Sequence, residues 1–176
     1  MYFSISYRAT GNIGGEHMEN THMTTTQTNL TDRIETILAQ WGHHAHGLPS
    51  ETTWTALAQI PADQPVTLVN FFKMRDTAVY PTDFADGADD ISGNEAFQRY
   101  AAISMPSLSD VGGKFLMVAP FGNSFIGPAE DWDLVAIGSY PNVNALVSLF
   151  ESETYRHAYA HRIAACADQK VSLCLG

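Results

Sequence analysis

Residues 132–150, WDLVAIGSYPNVNALVSLF, decide the fold. The first ten residues have the composition of a strand, and Asn142 is placed to cap the helix that follows. Ser152 can cap a second helix, ETYRHAYAHRIAACA (153–167), and KVSLCL (170–175) is predicted as a closing strand. The last third of the chain therefore predicts a strand, two helices and a strand.

Upstream segments supply the other half of the same pattern. PVTLVNFF (65–72) is rich in β-branched and aromatic residues, which favours a strand. SGNE (92–95) matches a capping box, and the helix that it opens is expected to end near Pro106. GGKFLMVAPFG (112–122) predicts another strand after a Gly-Gly turn. The order from residue 65 is βαββαβ, so the predicted class is α+β with a ferredoxin-like unit.

A single unit of this kind leaves half of its sheet uncovered. Its two helices shield one face, while the other face carries apolar residues at alternate positions. An apolar sheet face of this size is not stable in water, so we expect it to need a partner.

Two helices are predicted before the unit. The first is indicated by apolar residues that recur at spacings of three and four: Leu30, Ile34, Ile37, Leu38 and Trp41. Ser50 is placed to cap the second helix, ETTWTALAQI (51–60), which Pro61 ends. The chain is thus divided into a flexible tail (1–28), an N-terminal helical extension (29–64) and a ferredoxin-like domain (65–176).

Composition limits the partners. The 176 residues carry 9 Lys and Arg against 19 Asp and Glu, a formal charge of −10. Acidic proteins repel nucleic-acid phosphates and anionic membranes, so neither is expected as a partner. The chain shows no signal-peptide pattern and no apolar run near the ~20 residues that cross a bilayer. The two cysteines, Cys166 and Cys174, form no CxxC pattern, which favours a reducing cytoplasm as the location. Both are expected to be small apolar residues of the core.

The densest group of reactive side chains is SETYRHAYAHR (152–162). On a helix, Tyr155, Tyr159 and Arg162 share one stripe, which must pack on the sheet. The tyrosine hydroxyl groups would then reach a polar spot in the core, and Arg162 would offer a fork of donors to an acid or to a ligand carboxylate. Core packing and ligand contact both remain open for this stripe.

The two histidines of this stretch are predicted on another face. His157 and His161 have the i, i+4 spacing of a zinc-binding helix, but they lack the neighbouring Glu of that motif. HHAH (43–46) supplies a third ligand only if it lies close in space. We therefore expect solvent-facing histidines and no metal site.

Three long segments together resemble a known family. They are PVTLVNFFKMRDTAVYP (65–81), SGNEAFQRYAAISMPSLSDVGGKFL (92–116) and IGPAEDWDLVAIGSYPNVNALVSLFESETYRHAYAHRIAACADQKV (126–171), and they are similar to the family called domain of unknown function 1330. The resemblance implies a dimeric α/β-barrel, in which two ferredoxin-like units join their sheets as a homodimer. It implies no settled activity, because the family is named for lacking one. Relatives with the same architecture include isomerases, cyclases, cofactor-independent oxygenases and haem proteins, and their activities carry over only as fold analogy.

Candidate site residues are polar side chains on otherwise apolar elements. We predict His161 and Tyr155 as catalytic, and the substrate-binding group as Asn70, Arg75, Tyr100, Tyr159 and Arg162. Each has a structural alternative: a satisfied core amide for Asn70, an ion pair with the acidic loop 83–90 for Arg75, and helix packing for Tyr100. Asp131 and Asp133 are expected in turn chemistry or as partners of Arg162.

The predicted function is binding of a small, largely apolar acid or enolisable molecule without a cofactor. Acid–base chemistry such as isomerisation, cyclisation or cofactor-independent oxidation would follow from a histidine that moves a proton near neutral pH. Two alternatives stay open: a non-catalytic ligand-binding or regulatory dimer, and a haem protein with His161 or Tyr159 as axial ligand. In the regulatory alternative, the helical extension caps the barrel or recruits another protein.

Overall fold

A computed structural model describes residues 30–41 and 47–176 of the chain. The helices are α1 (residues 30–41), α2 (Glu51–Leu57), α3 (Gly93–Asp110), α4 (Val143–Glu151) and α5 (Glu153–Ala165). The strands are β1 (Val66–Met74), β2 (Lys114–Pro120), β3 (Leu134–Tyr140) and β4 (Cys166–Leu175). The predicted flexible tail (1–28) lies outside the described residues.

The four strands form one antiparallel sheet in the order β2-β3-β1-β4. From β1 onward the chain runs βαββαβ, with α4 and α5 dividing the second crossover. This order and pairing confirm the ferredoxin-like α+β fold.

Local capping chemistry sets the helix starts. The Ser92 hydroxyl accepts from the Glu95 backbone N–H, and the Glu95 carboxylate accepts from the Ser92 N–H at 2.8 Å, which completes the predicted capping box. Asn142 caps α4 by accepting from the Ala145 N–H at 2.8 Å, and Ser152 caps α5. These short-range signals were readable because they depend on neighbours in the sequence.

Several element ends differ from the sequence prediction, among them the end of α2 at Leu57, three residues before the predicted end. Helix α3 continues through Pro106 to Asp110, because this last part places Leu108 in the core at 3% exposure, which offsets the proline's cost of ~3 kcal/mol. Helix α5 ends at Ala165 and β4 starts at the next residue, Cys166, which pairs with Met74. Strand β4 therefore begins four residues before the predicted start.

The helical extension shares a core with the ferredoxin-like unit. Leu30, Ile37 and Trp54, each under 5% exposed, pack in the same apolar cluster as α4 and α5. Arg33 fixes α1 to α4 by donating from Nε and Nη2 to the two carboxylate oxygens of Glu151, both at 2.7 Å. The extension is thus joined to the unit by apolar burial and a bidentate ion pair.

The register assigns each strand residue to a face of the sheet. Directly paired residues share a face, so Val69 with Ile137 and Phe71 with Val135 lie opposite the helices. Met117 of β2 pairs with Ile137 and joins them. We call these five residues the open face. Within the chain, the loop 121–133 covers part of it, since Phe121 and Trp132 have ring centroids 6.3 and 6.0 Å from that of Phe71.

Among the helices in the described part of the chain, none has the length and apolar character required to cross a membrane.

Candidate functional site

Helix α5 places three polar side chains in the core. Tyr155, Tyr159 and Arg162 are 4%, 3% and 5% exposed, and Tyr100 of α3 lies beside them at 7%. We refer to Phe72, Tyr100, Tyr155, Tyr159, Arg162 and Gln169 as the arginine–tyrosine cluster. Its members come from α3, α5 and the two strands β1 and β4, so the packing of helices on the sheet brings them together.

Arg162 is held by neutral groups. Its Nε donates to Oε1 of Gln169 at 2.7 Å, and its Nη1 donates to the Tyr100 hydroxyl at 3.3 Å. The guanidinium carbon lies 4.8 Å from the ring centroid of Phe72 and 4.9 Å from that of Tyr159, distances typical of cation–π contacts. The aromatic rings and one amide thus replace the water that the cation loses.

No carboxylate neutralises Arg162 in the described residues. The ion pairs found there involve Arg33, Lys73, His157 and Lys170. Burial works to lower the pKa of Arg162, but the surrounding tyrosine hydroxyl groups, Tyr159 foremost, raise it overall, so the side chain stays charged. An unpaired buried cation is costly, and such groups are more often found with an acid beside them.

The tyrosine hydroxyl groups of the cluster are neutral hydrogen-bonding groups. Tyr100 and Tyr155 share a bond of 3.1 Å between their oxygens, and Tyr159 donates to the backbone carbonyl of Gly47 at 2.9 Å. Burial raises the pKa of Tyr159 to about 12 and holds that of Tyr155 well above its ordinary value. At neutral pH both therefore keep their protons and do not act as bases.

Helix α1 closes the cluster on its outer side. The Trp41 ring centroid lies 5.1 Å from that of Tyr159, and the Trp41 indole N–H donates to the Phe150 carbonyl at 2.9 Å. A recess of about 10 Å³ remains beside them, lined by Leu38, Trp41, Leu48, Pro49, Trp54 and Phe150. That volume holds at most one water, so the cluster is closed to ligands in this conformation.

The prediction that His161 faces solvent is wrong. His161 is 6% exposed, and its Nδ1 lies 2.8 Å from the Tyr80 hydroxyl oxygen. The Phe84 ring packs against it with a centroid distance of 5.4 Å. The loop between β1 and α3 folds back over α5 because the Val79 N–H donates to the Ala164 carbonyl at 3.0 Å. This long-range cover has no signal in the local sequence.

The buried imidazole of His161 is neutral. Burial lowers the pKa of His161 first of all, Arg99 and His157 lower it further, and Asp86 opposes them. His161 is therefore uncharged at neutral pH. Burial also raises the pKa of Tyr80, which keeps its proton. Tyr80 occupies Nδ1 and fixes the ring, and Nε2 has no hydrogen-bond partner in the described residues, so it can take or give a proton.

His157, one turn earlier, has a different role. It is exposed, and its Nε2 lies 2.6 Å from a carboxylate oxygen of Asp86. Each histidine thus holds the loop through one contact, His157 with Asp86 and His161 with Tyr80. The described residues contain no group of three or more His, Cys, Asp or Glu side chains that could hold a metal. Residues 43–46, suggested as a third ligand source, lie outside them.

The remaining predicted residues lie apart from the cluster contacts. Asn70 is 8% exposed and its Nδ2 donates to the Ala136 carbonyl at 3.0 Å, which ties β1 to β3 as a core amide does. Arg75 forms no ion pair within the described residues, and its buried Nε has no hydrogen-bond partner there. Asp133 binds the Met74 N–H at 2.7 Å and the Lys73 amine instead of Arg162.

The structure divides the predicted site into two places. Tyr100, Tyr155, Tyr159 and Arg162 form one cluster, while His161 contacts Tyr80 and Phe84 elsewhere on α5. Sequence reasoning missed three contacts of the cluster: Phe72, Gln169 and Gly47. Phe72 was interpreted only as a strand residue. Gln169 fell in a segment assigned to no element, and Gly47 contributes only a backbone carbonyl, for which side-chain patterns carry no signal. Burial raises the pKa of the Cys166 thiol to about 11, which fits an unreactive core residue. The same prediction is wrong for Cys174, which is exposed on the closing strand.

Known proteins share this fold and part of this sequence. Residues 87–174 match the family described as "Domain of unknown function (DUF1330)". The crystal structure of methylated RPA0582 protein superposes with a TM-score of 0.66 at 30% identity, over 75% of this chain and 95% of that one. A second structure, the RPA0582 protein of unknown function from Rhodopseudomonas palustris, gives 0.66 at 29% identity, over 76% and 98%.

A more distant match is a dimeric protein of unknown function and ferredoxin-like fold from Bacteroides fragilis, with a TM-score of 0.40 at 11% identity, over 64% of this chain and 96% of that one. The search of curated proteins gave no match. A match over 75% of this chain is longer than residues 65–176 alone, so the likeness to RPA0582 extends to residues before 65. On this family match and this structural likeness, the chain belongs to the DUF1330 family.

Proposed function

We propose that this protein is a cytoplasmic homodimer that binds a small, largely apolar organic acid, with Arg162 as the anchor of the acid group. The observation that carries the proposal is a guanidinium that is 5% exposed and has no carboxylate beside it in the described residues. A ligand carboxylate would supply the missing negative charge. Cys174, an exposed free thiol, fits the reducing compartment that the cysteine count favours.

The surroundings of Arg162 fit an apolar acid. The rings of Phe72, Tyr100 and Tyr159 form apolar walls, and the hydroxyl groups and the Gln169 amide supply a few fixed polar contacts. Ligand sites in proteins combine apolar walls with a small number of polar groups in this way. Arginine suits the role because its planar fork matches a carboxylate with two parallel hydrogen bonds.

Replacing the anchor tests the proposal. Arg162→Met keeps the approximate volume and removes the charge, so we expect the free energy of unfolding to stay the same or to rise by about 1 kcal/mol, because an unpaired buried charge is lost. Affinity for benzoate, measured by calorimetry, should fall about 10- to 100-fold, the value of a charge-assisted hydrogen bond. Arg162→Lys retains the charge as the matched control and should lose less. A Met variant that fails to fold would place Arg162 in a purely structural role.

The open face supports the homodimer. Its side chains, Val69, Phe71, Met117, Val135 and Ile137, are apolar and lie together on the side of the sheet that no helix covers. Met117 is 43% exposed in the single chain. A second copy that stacks its own open face on this one would bury both, as the sandwich packing of two sheets does. The family resemblance favours the same arrangement.

Acid–base chemistry is supported by a separate observation, the Tyr80–His161 pair. The hydrogen bond at Nδ1 orients the ring and leaves Nε2 for a substrate proton, the arrangement that general acid–base catalysis needs. The ring is neutral at neutral pH, since burial lowers its pKa. We propose that His161 is the proton carrier for an enolisable molecule bound at this second place on α5, apart from the acid site at Arg162.

The state of His161 can be measured through stability. The folded pKa lies below the ordinary value of about 6.5, so the unfolded chain binds more protons in the interval between the two. Stability should therefore be complete above about pH 6.5 and should decrease as the pH falls through that interval. Unfolding by urea at several pH values should show this slope in the native protein and in His157→Gln, and a smaller slope in His161→Gln. Equal slopes in all three would contradict the assignment.

A further inference from the structure

One backbone carbonyl from the helical extension closes the arginine–tyrosine cluster. The Gly47 oxygen accepts from the Tyr159 hydroxyl at 2.9 Å and from Nε2 of Gln169 at 3.3 Å. The other end of the same amide, Oε1 of Gln169, accepts from Nε of Arg162 at 2.7 Å. The extension thus supplies one oxygen that accepts from both Tyr159 and Gln169. Gln169 in turn connects this oxygen to Arg162 through the two ends of its amide.

Donors that converge on one oxygen define the position of an acceptor. We propose that the Gly47 carbonyl is a built-in occupant of the acid site, and that the ligand is an aryl carboxylate whose carboxylate oxygen replaces it. This inference rests on the proposed function. A rotation of the Gln169 side chain would free Nε of Arg162 for the second carboxylate oxygen, while the Tyr159 hydroxyl donates to the first. The ligand would then neutralise Arg162, which the uncharged Gly47 carbonyl does not.

The aromatic walls select an aryl group. Trp41 and Tyr159 meet edge to face at 5.1 Å, and Tyr155 lies 5.7 Å from Tyr159, also edge to face. A flat ring can enter such a set by the same edge and stacking contacts. The small recess beside Trp41 is lined by Leu48 and Pro49, which follow Gly47 directly. Withdrawal of residues 47–49 would therefore join this recess to the cluster and make room for the ring.

Gly47 is a sensitive point for testing this closure. Its φ is +89°, in the left-handed region that side chains disfavour, and a Cβ there would overlap the Gln169 amide nitrogen. Gly47→Ala should thus weaken the closed arrangement in two ways. Gly127→Ala is the matched control: Gly127 has φ +105°, but a methyl group added there would meet no atom within 4 Å, so this variant carries the backbone strain alone.

Two measurements on the full chain test separately whether the Gly47 carbonyl closes the acid site and whether the ligand is an aryl carboxylate. The first is the rate at which phenylglyoxal modifies Arg162 without ligand, read by peptide mass spectrometry. The second is benzoate affinity by calorimetry. Gly47→Ala should raise both about 5- to 30-fold, the factor that corresponds to left-handed strain at a non-glycine residue, because the open population increases. Gly127→Ala should change neither.

Other results of these two measurements would contradict different parts of the proposal. Benzoate binding that is equal in native protein and Gly47→Ala, with equal modification rates, would leave the acid site standing and overturn the built-in occupant. A raised modification rate without benzoate binding in any variant would confirm the closure but overturn the aryl carboxylate and the proposed function with it. If Gly47→Ala does not fold, Tyr159→Phe removes one of the two donors to Gly47. It should raise the modification rate by a smaller factor, and no rise would overturn the inference.

Discussion

Gly93→Ala is expected to destabilise the fold by more than about 3 kcal/mol, a loss in the range of severe overpacking. An added methyl group would lie 2.7 Å from the Ala165 carbonyl oxygen and 2.8 Å from the Arg75 backbone nitrogen. These are backbone atoms of two other segments, so no side-chain rotation relieves the overlap. The Gly93 N–H also donates to the Arg75 carbonyl at 3.1 Å, which fixes the close approach.

The position is sensitive because three elements meet there. Helix α3 begins at Gly93, β1 has just ended before Arg75, and α5 ends at Ala165, whose carbonyl accepts from the Arg75 N–H at 2.8 Å. The same junction fixes one end of the loop that covers His161. The substitution should therefore lower both global stability and the protection of His161.

Urea unfolding followed by circular dichroism measures the loss, and histidine NMR measures the second effect. The matched control is Gly122→Ala, where a methyl group would meet no atom within 4 Å; its effect should stay below about 1 kcal/mol. A Gly93→Ala protein as stable as this control would contradict the tight approach of Gly93 to Arg75 and Ala165.

Sequence patterns predicted what depends on near neighbours. The capping box at Ser92 and the Asn142 cap each join residues three apart, so their chemistry is visible in a short window. The β-branched and aromatic residues of 65–72 were enough to place a strand there. From these elements the βαββαβ order, and hence the fold, followed.

Contacts between distant segments were not predictable in the same way. His161 is buried because the loop carrying Tyr80 and Phe84 returns across α5, a contact between positions about eighty residues apart in the chain. Pro106 should end a helix by local rules, yet packing of Leu108 carries α3 past it. In both cases a tertiary contact outweighs the local preference.

The candidate site likewise combines a feature that was predictable from local sequence with one that was not. The spacing of Tyr155, Tyr159 and Arg162 on one helical stripe was readable from the sequence, and these residues do lie together. The absence of an acid beside Arg162 in the described residues was not readable, since several acidic residues were available as partners. Asp131 and Asp133 both bind Lys73 instead. It is this unpaired charge, more than the residue types, that directs the proposal toward an organic acid.

Val69→Asp is expected to dissociate the proposed homodimer, raising its dissociation constant at least about 1,000-fold. Val69 lies in a central strand on the open face and pairs with Ile137, so each copy would bring a carboxylate into the apolar contact. An unpaired charge buried at an interface costs about 3–5 kcal/mol, and the two-fold arrangement places two such charges in one interface. The monomer itself should still fold. Position 69 is half-buried in the single chain, so the carboxylate of the introduced aspartate can reach water.

Sedimentation velocity over a range of concentrations measures the effect, with circular dichroism to verify folding. Val79→Asp is the matched control: it makes the same chemical change at a loop residue that is 61% exposed and does not lie on the sheet. It should leave the dimer intact. If the native chain sediments as a monomer at high concentration, or if Val69→Asp remains dimeric, the open face is not the contact between copies. The apolar side chains of β1, β2 and β3 would then require another cover, and the pairing of sheets proposed for this protein would be wrong.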